Sequence, residues 1–405
     1  MAIRHTVLVF TALPDDLIRF RFHILTTIKE YGHTLIACAA REDILAGVMG
    51  VDIPAFLAQH DIVYKNFPLH RTGLNPLRDL QTLCALYKLC RREKPDVLLC
   101  CNAKPIVYGS LAAKLAGVPR ICSLVTGLGF GAARNSENAG LAVKITRALY
   151  KWALSLNSTV IFQNQDDCDE MVHSGLVAPT AETGIVNGSG VDIEKFQPVP
   201  FPPGATTFLI ISRLLREKGV GEFAAAARLV KMKYPETQFE LVGPVDHEHR
   251  DAISEEEVHT WEQEGFLTWH GSTSDVRPFI EQSTVYVLPS YHEGTPRTVL
   301  EAMAMGRPII TTDTSGCRQT VVDGENGFLV PVQDVEMLAA AMERFLDHPE
   351  LIPIMGEKSR VMAVEKYDAR KVGKAMAQLM RLAPCPPVQD DVPEKELATV
   401  SSHSR

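Results

Sequence analysis

The sequence lacks any apolar run long enough to span a bilayer. Its longest, such as TFLIIS over 207–212, are strand-length. Its nine cysteines, at 38, 84, 90, 100, 101, 122, 168, 317 and 385, form no CxxC pair and no ladder of spacings. That argues against structural zinc and against a disulfide framework. Most lie in apolar runs, which suits buried free thiols in a reducing compartment. The start, MAIRHTVLVFTALP, is a basic-flanked strand rather than a signal peptide, so a cytoplasmic location is expected. A net charge of −8 argues against nucleic acid as a partner. Two metal-like patterns also fall short. In NQDDCDE, Asn164, Asp166 and Asp167 suit the capped, acidic first turn of a helix, where Asp167 and Asp169 point to different sides. His247 and His249 have no partner ligands at useful spacing, so no metal is expected to be required.

What is present is globular: 46% hydrophobic and 22% charged over 405 residues, more than one ordinary core holds. Short apolar segments alternate with amphipathic ones. TVLVF (6–10) precedes a helix around 17–31 and the strand HTLIACA (33–39). A basic helix over roughly 76–93 leads to DVLLCC (96–101), then a helix at 110–117, RICSLVTG (120–127) and STVIFQN (158–164). Such β-α-β repetition predicts an α/β fold with a parallel sheet covered on both faces. Five prolines and glycines between 198 and 204 mark a linker. A second series follows, through TFLIIS, QFELVG (238–243), FLTWHG (266–271), TVYVLPS (284–290), PIITTD (308–313) and GFLVP (327–331). The expected organisation is two Rossmann-like doubly wound domains, 1–195 and 196–365, facing across a cleft. A helix over 366–383 is expected to pack back on the first domain, and 384–405 to form a disordered tail.

Charge is unevenly spread. Residues 62–151 hold 14 Lys/Arg against Asp79, Glu93, Asp96 and Glu137. This describes either solvated helix faces or a basic surface toward anionic lipid or a diphosphate-linked acceptor. The helices around 76–93 and 141–156 carry much of it, in Lys88, Arg91, Arg92, Lys144, Arg147 and Lys151.

The most informative residues are Glu293 and Glu301, separated by GTPRTVL. Glu293 falls in a strand-to-helix loop and Glu301 in the first turns of the helix, at a strand's carboxyl end where open α/β sheets bind ligands. The amides of that helix start suit a phosphate. Arg213 and Lys218, five apart after TFLIIS, suit a diphosphate: a guanidinium bonds two oxygens and an ammonium adds a point charge. Carboxylates for sugar and ribose with cations for the phosphates between them describe a nucleotide-sugar site.

SRLLREKGV (212–220), LVGP (241–244), PSYHEGTPRTVLEAMAMGRPIITTD (289–313), GCRQTV (316–321) and DGENGFLVP (323–331) resemble family-4 retaining glycosyltransferases of the two-Rossmann-domain, GT-B type. KPIVYGSLAAKLAGVP (104–119), TGLGF (126–130), VIFQNQDD (160–167) and GSGVDIEKF (188–196) extend the likeness to the first half. They resemble the subgroup that adds sugars to polyprenyl-diphosphate-linked acceptors in capsule, O-antigen and glycan assembly.

The resemblance implies that Arg213 and Lys218 neutralise the leaving β-phosphate and Glu301 accepts the ribose hydroxyls. It places Glu293 on the donor sugar, beside Gly294, Thr295, Pro296 and Arg297. It sets Gly243, Pro244 and His270 around the base. Thr126, Gly127 and Gly129 stand near a mid-domain strand end where many relatives carry a sugar-contacting histidine, and they form an acceptor-side loop. Lys104, after DVLLCC, is either a phosphate contact or a solvated loop residue. TALPDD (11–16) has no glycine where many relatives have a glycine pair. The implied reaction moves a hexose or N-acetylhexosamine from UDP to a lipid-linked saccharide, with retention and without metal or other cofactor. The implied place is the inner face of the cell membrane, held peripherally on anionic lipid. Two alternatives stand beside it: a UDP-sugar 2-epimerase-like isomerase, and a non-catalytic nucleotide-sugar-binding subunit.

Overall fold

The computed structural model describes residues 3–40, 51–70, 75–127, 141–247, 249 and 251–385. The acceptor-side Gly129 and most of the tail lie outside the described residues. The first sheet contains β1 (Thr6–Thr11), β2 (Thr34–Ala40), β3 (Val63–Phe67), β4 (Val97–Cys101), β5 (Arg120–Val125), β6 (Thr159–Phe162) and β7 (Thr183–Ile185). Its order is β3-β2-β1-β4-β5-β6-β7, and every pairing is parallel. The second contains β8 (Thr207–Ile211), β9 (Gln238–Val242), β10 (Thr268–Trp269), β11 (Val285–Leu288), β12 (Ile309–Thr312) and β13 (Gly327–Val330). Its order, β10-β9-β8-β11-β12-β13, is again wholly parallel.

Both faces of each sheet are covered, so the central strands read as unbroken apolar runs rather than alternating ones. Val7 to Phe10 and Val285 to Leu288 are all buried. In each sheet the strand order reverses beside the first strand, between β1 and β4 and between β8 and β11. A crevice opens at such a reversal, outside the carboxyl ends of the strands. The two crevices face one another.

Two departures from expectation matter. The helix expected over 17–31 is two helices, Pro14–Arg19 and Phe22–Glu30, and the break puts Phe20 and Arg21 in the crevice. The helix Ala103–Ala116 starts seven residues earlier than its apolar pattern indicated, directly after Asn102. Asn102 holds φ 71° and ψ 154°, a backbone region almost confined to glycine, and its Oδ1 accepts the Ala12 N–H at 3.1 Å. That bond ties the end of β4 to the end of β1.

The chain crosses between the domains twice, and the crossings are bonded to each other. Val191 N–H donates to Tyr367 O at 2.8 Å and Ala369 N–H to Val191 O at 3.0 Å. The helix Ala369–Leu379 then lies on the first domain, with Gly373 against His23 and Thr27 and Leu379 over Gly184. The linker is held differently. Val199 and Pro200 give their carbonyls to the guanidinium of Arg307, which is fully buried.

Candidate active site

The crevices meet in one cleft of about 360 Å³. From the second domain its lining includes Arg213, Lys218, Glu293, Gly294, Thr295, Pro296 and Arg297, all nominated by the sequence, and Ser212 and Thr298, which were not. From the first domain come Thr126, also nominated, and Asp16, Phe20, Arg21, Asn102, Gln163 and Ser189, which were not. The missed residues of the first domain follow the ends of β1, β4, β6 and β7, so their position in the sheet was the available signal. Gln163 and Ser189 fall inside the quoted segments VIFQNQDD and GSGVDIEKF, yet none of the six was singled out as a contact.

Each nominated charge has a partner. Lys218 leaves a short 3₁₀ turn, Arg216–Lys218, and its Nζ donates to Glu293 Oε1 at 2.7 Å. Both side chains are under one-fifth exposed, so the pair feels less screening than a surface one. Arg213 is half exposed and donates to Asp246 Oδ2 at 2.8 Å. Arg297 donates from Nε to Glu301 Oε1 at 2.8 Å, and its guanidinium lies over the Phe20 ring, 5.4 Å from the centroid. That last contact spans the cleft.

Glu301 is in the helix Arg297–Ala304, one turn behind the lining residues and 6% exposed. Burial raises its carboxyl above the usual range, with Arg297 pulling the other way. Arg297 therefore covers the acid that was expected to meet the ribose. The helix begins at Pro296 with no side-chain cap, which leaves its first amides for a ligand.

Gly294 has a steric reason to be glycine. A Cβ there would stand 2.4 Å from Thr126 O and 2.8 Å from Gln163 Oε1, so the donor loop meets the first domain as bare backbone. Gly127 is the neighbour across that contact.

Three nominated positions sit apart from the lining. Gly243 has φ 148°, and a Cβ would meet Ser212 O at 1.7 Å, so its role is close backbone approach beside Arg213. Pro244 accepts the Leu214 N–H through its carbonyl. His270 is outside the lining, with its Nε2 on Glu240 and its ring 5.0 Å from Phe279. Lys104 is also elsewhere: its Nζ donates to His70 O at 2.6 Å and to Asp79 Oδ1 at 3.3 Å. An ammonium so engaged braces helices 76–93 and 103–116 rather than lining the cleft.

Comparison with known proteins fits this geometry. Residues 205–348 match the family model "Glycosyl transferases group 1", and residues 55–164 match "Glycosyl transferase 4-like". The chain belongs to these glycosyltransferases. The isomerase alternative falls with that membership. The glycosyltransferase is 27% identical over 316 residues to UDP-Gal:alpha-D-GlcNAc-diphosphoundecaprenol alpha-1,3-galactosyltransferase of Escherichia coli, covering 74% of this chain and 78% of the relative. It is 28% identical over 303 residues to N,N'-diacetylbacillosaminyl-diphospho-undecaprenol alpha-1,3-N-acetylgalactosaminyltransferase of Campylobacter jejuni, covering 72% and 77%. Among solved structures it is similar to sucrose-phosphate synthase from Thermosynechococcus elongatus, with TM-score 0.76, 19% identity and coverage of 93% and 98%. It is also similar to Anabaena HepE solved with UDP, with TM-score 0.73, 16% identity and coverage of 94% and 100%. Those likenesses establish the GT-B fold for this glycosyltransferase.

Proposed function

We propose that this glycosyltransferase moves a hexose or N-acetylhexosamine from UDP to a hydroxyl of a lipid-diphosphate-linked saccharide, with retention and without a metal ion. One observation carries the reading. The Lys218–Glu293 and Arg297–Glu301 pairs flank an uncapped helix start in the cleft where both sheets end. Departure of UDP develops negative charge on the β-phosphate. Lys218, Arg213 and the helix amides supply fixed positive charge at that place, the task a cation performs elsewhere. Glu293 then turns to the sugar. Attack from the face that the phosphate leaves, with that phosphate accepting the acceptor's proton, gives retention without a protein nucleophile. The relatives named for diphosphoundecaprenol-linked acceptors support the acceptor class. The test is transfer from a panel of UDP- and GDP-sugars to a synthetic polyprenyl-diphosphate sugar in EDTA, with the product's anomeric configuration read by NMR. Consumption of UDP-sugar at full rate without acceptor would contradict it.

In this reading, the ribose reaches Glu301 once Arg297 moves off it toward the phosphates. In the free protein Arg297 occupies Oε1, and its departure leaves the carboxylate to accept the ribose hydroxyls. A hydrogen bond to a charged group contributes about 1.5–3 kcal/mol, so Glu301→Gln is expected to weaken UDP binding by roughly ten- to a hundredfold in calorimetry. The same variant reports on burial. The folded chain keeps the Glu301 proton to a higher pH than the unfolded chain does. Stability therefore falls as pH rises from the ordinary carboxylate range through the raised one. Urea midpoints followed against pH are expected to show less of that fall in Glu301→Gln.

The membrane completes the proposal. No helix among the described residues is long and apolar enough to cross a bilayer. The helix Pro76–Glu93 buries Thr82, Leu86, Leu89 and Cys90 but exposes Leu77, Leu80 and Tyr87, and Lys88, Arg91 and Arg92 are exposed in its last turns. The helix Leu141–Ser155 exposes Ile145 and Trp152 beside Lys144 and Lys151. An apolar stripe edged by cations suits an anionic bilayer surface at about 1 kcal/mol per basic residue. Binding to anionic vesicles is expected to fall steeply with salt and with Lys88→Glu plus Arg91→Glu. Equal partition to neutral and anionic vesicles would remove this part of the proposal.

A further inference from the structure

The NQDDCDE segment lies on the seam between the domains. Asn164 caps the helix Gln165–His173, its Oδ1 accepting the Asp167 N–H at 2.7 Å, as the sequence predicts. An ordinary first-turn acid would then face water. Asp167 instead has no exposure at all, and neither has Asn164.

Their remaining polar atoms reach into the second domain. Asn164 Nδ2 donates to Gly294 O at 2.6 Å, and Ser315 Oγ donates to Asp167 Oδ1 at 2.6 Å. Ser315 in turn accepts the Glu293 N–H through its carbonyl at 3.3 Å. The result is a closed ring: cap, acid, serine, donor loop, and back to the cap. Thr295 Oγ1 donates to Gln163 O at 3.2 Å beside it, and Arg318 stands 3.5 Å from Asp166. Three buried atoms of the seam, Asp166 Oδ2, Asp167 Oδ2 and His292 Nε2, have no hydrogen-bond partner.

We propose that Asn164 and Asp167 are positioning residues that hold the Glu293–Gly294 turn in its sugar-gripping geometry only while the two domains are closed. The inference rests on the donor-site reading above.

Helix capping alone does not need a buried carboxylate at 167, since the cap bond runs to its backbone. Burial raises the Asp167 carboxyl above its usual range, and Ser315, His292 and Asn164 offset this only in part. The acid is therefore better solvated when the domains part, while its bond to Ser315 exists only when they meet. Closure made this way is reversible, as release of UDP after each turnover requires. It also places the sugar-binding backbone under the control of both domains.

The test uses the full chain carrying Asp167→Ala, Asp167→Asn or Ser315→Ala. Amide hydrogen exchange at residues 290–296 is measured without ligand, alongside kcat and the Kd for UDP. Asp167→Ala and Ser315→Ala are expected to speed exchange there at least tenfold and lower kcat at least tenfold, with the UDP Kd within twofold. Asp167→Asn keeps an acceptor for the Ser315 hydroxyl and is expected to restore both to within threefold of wild type. Unchanged exchange in both alanine variants would overturn the proposal. So would a loss of UDP affinity in step with kcat, or an asparagine variant no better than alanine. Exchange is read without donor, so failure of wild type to bind UDP would count against the donor site and leave the seam's test standing.

Discussion

Lys218→Ala is expected to lower turnover by about 10²–10³-fold, the loss seen when one preorganised donor is removed from a developing oxyanion. Its ammonium is held 2.7 Å from Glu293 in the free protein, so the charge is in place before any phosphate arrives. Nothing has to reorganise as the bond to the sugar breaks, which is why the effect falls on kcat. Folding depends on this residue far less. The pair is mostly shielded from solvent, and leaving Glu293 without it is expected to cost about 1–3 kcal/mol in urea unfolding. Lys218→Arg keeps the charge but replaces a compact ammonium with a planar fork, and only partial rescue is expected. Wild-type turnover in Lys218→Ala would show that the phosphate is held elsewhere.

Arg307→Ala is expected to have the largest effect on stability. The guanidinium donates to the carbonyls of Val199, Pro200, Ile280, Glu281 and Met305, at 2.9 to 3.3 Å, and lies 4.6 Å from the centroid of Phe201. Burial without a carboxylate in direct contact lowers its pKa to about 10, yet it stays charged at neutral pH. Each buried carbonyl left without a donor costs roughly 1–3 kcal/mol, so alanine is expected to destabilise the second domain by about 4 kcal/mol or more. The tryptophans separate the domains. Trp261 and Trp269 report on the second and Trp152 on the first, so single-tryptophan variants followed in urea localise the loss. A shift confined to the Trp152 signal would contradict the assignment.

Arg307 also shows where the sequence stops being informative. Beside Gly306 and Pro308 it reads as part of a helix stop, and nothing local says that a linker a hundred residues earlier hands it two carbonyls. The strands show the opposite case: apolar runs such as TVLVF and TFLIIS stand at β1 and β8 because burial on both sheet faces dictates their composition. The short strands were harder. Val63–Phe67 is half exposed and polar at an edge, and it carries no apolar run to find.

The site divides along the same line. Arg213, Lys218, Glu293 and the turn from Gly294 to Arg297 are contiguous motifs, and the structure brings them to one cleft. Phe20, Arg21 and Asn102 are scattered single residues, placed by the parallel order of a sheet that composition alone does not give, and Ser189 is one unmarked position within GSGVDIEKF. Lys104 was left open between a phosphate contact and a solvated loop residue, and the structure shows it as neither lining the cleft nor free in solvent. A lysine after a strand looks like a ligand contact until Asp79 and the His70 carbonyl are seen to hold it. Asp167 was assigned correctly to a helix start, yet its burial by the other domain lay beyond any local signal.

The account depends most on where the nucleotide lies. A crystal structure of the full chain with UDP measures that directly. It should show the diphosphate within hydrogen-bond distance of Lys218, Arg213 and the first amides of helix 297–304, with the ribose hydroxyls on Glu301. A nucleotide bound away from Lys218, or a ribose turned from Glu301, would contradict it.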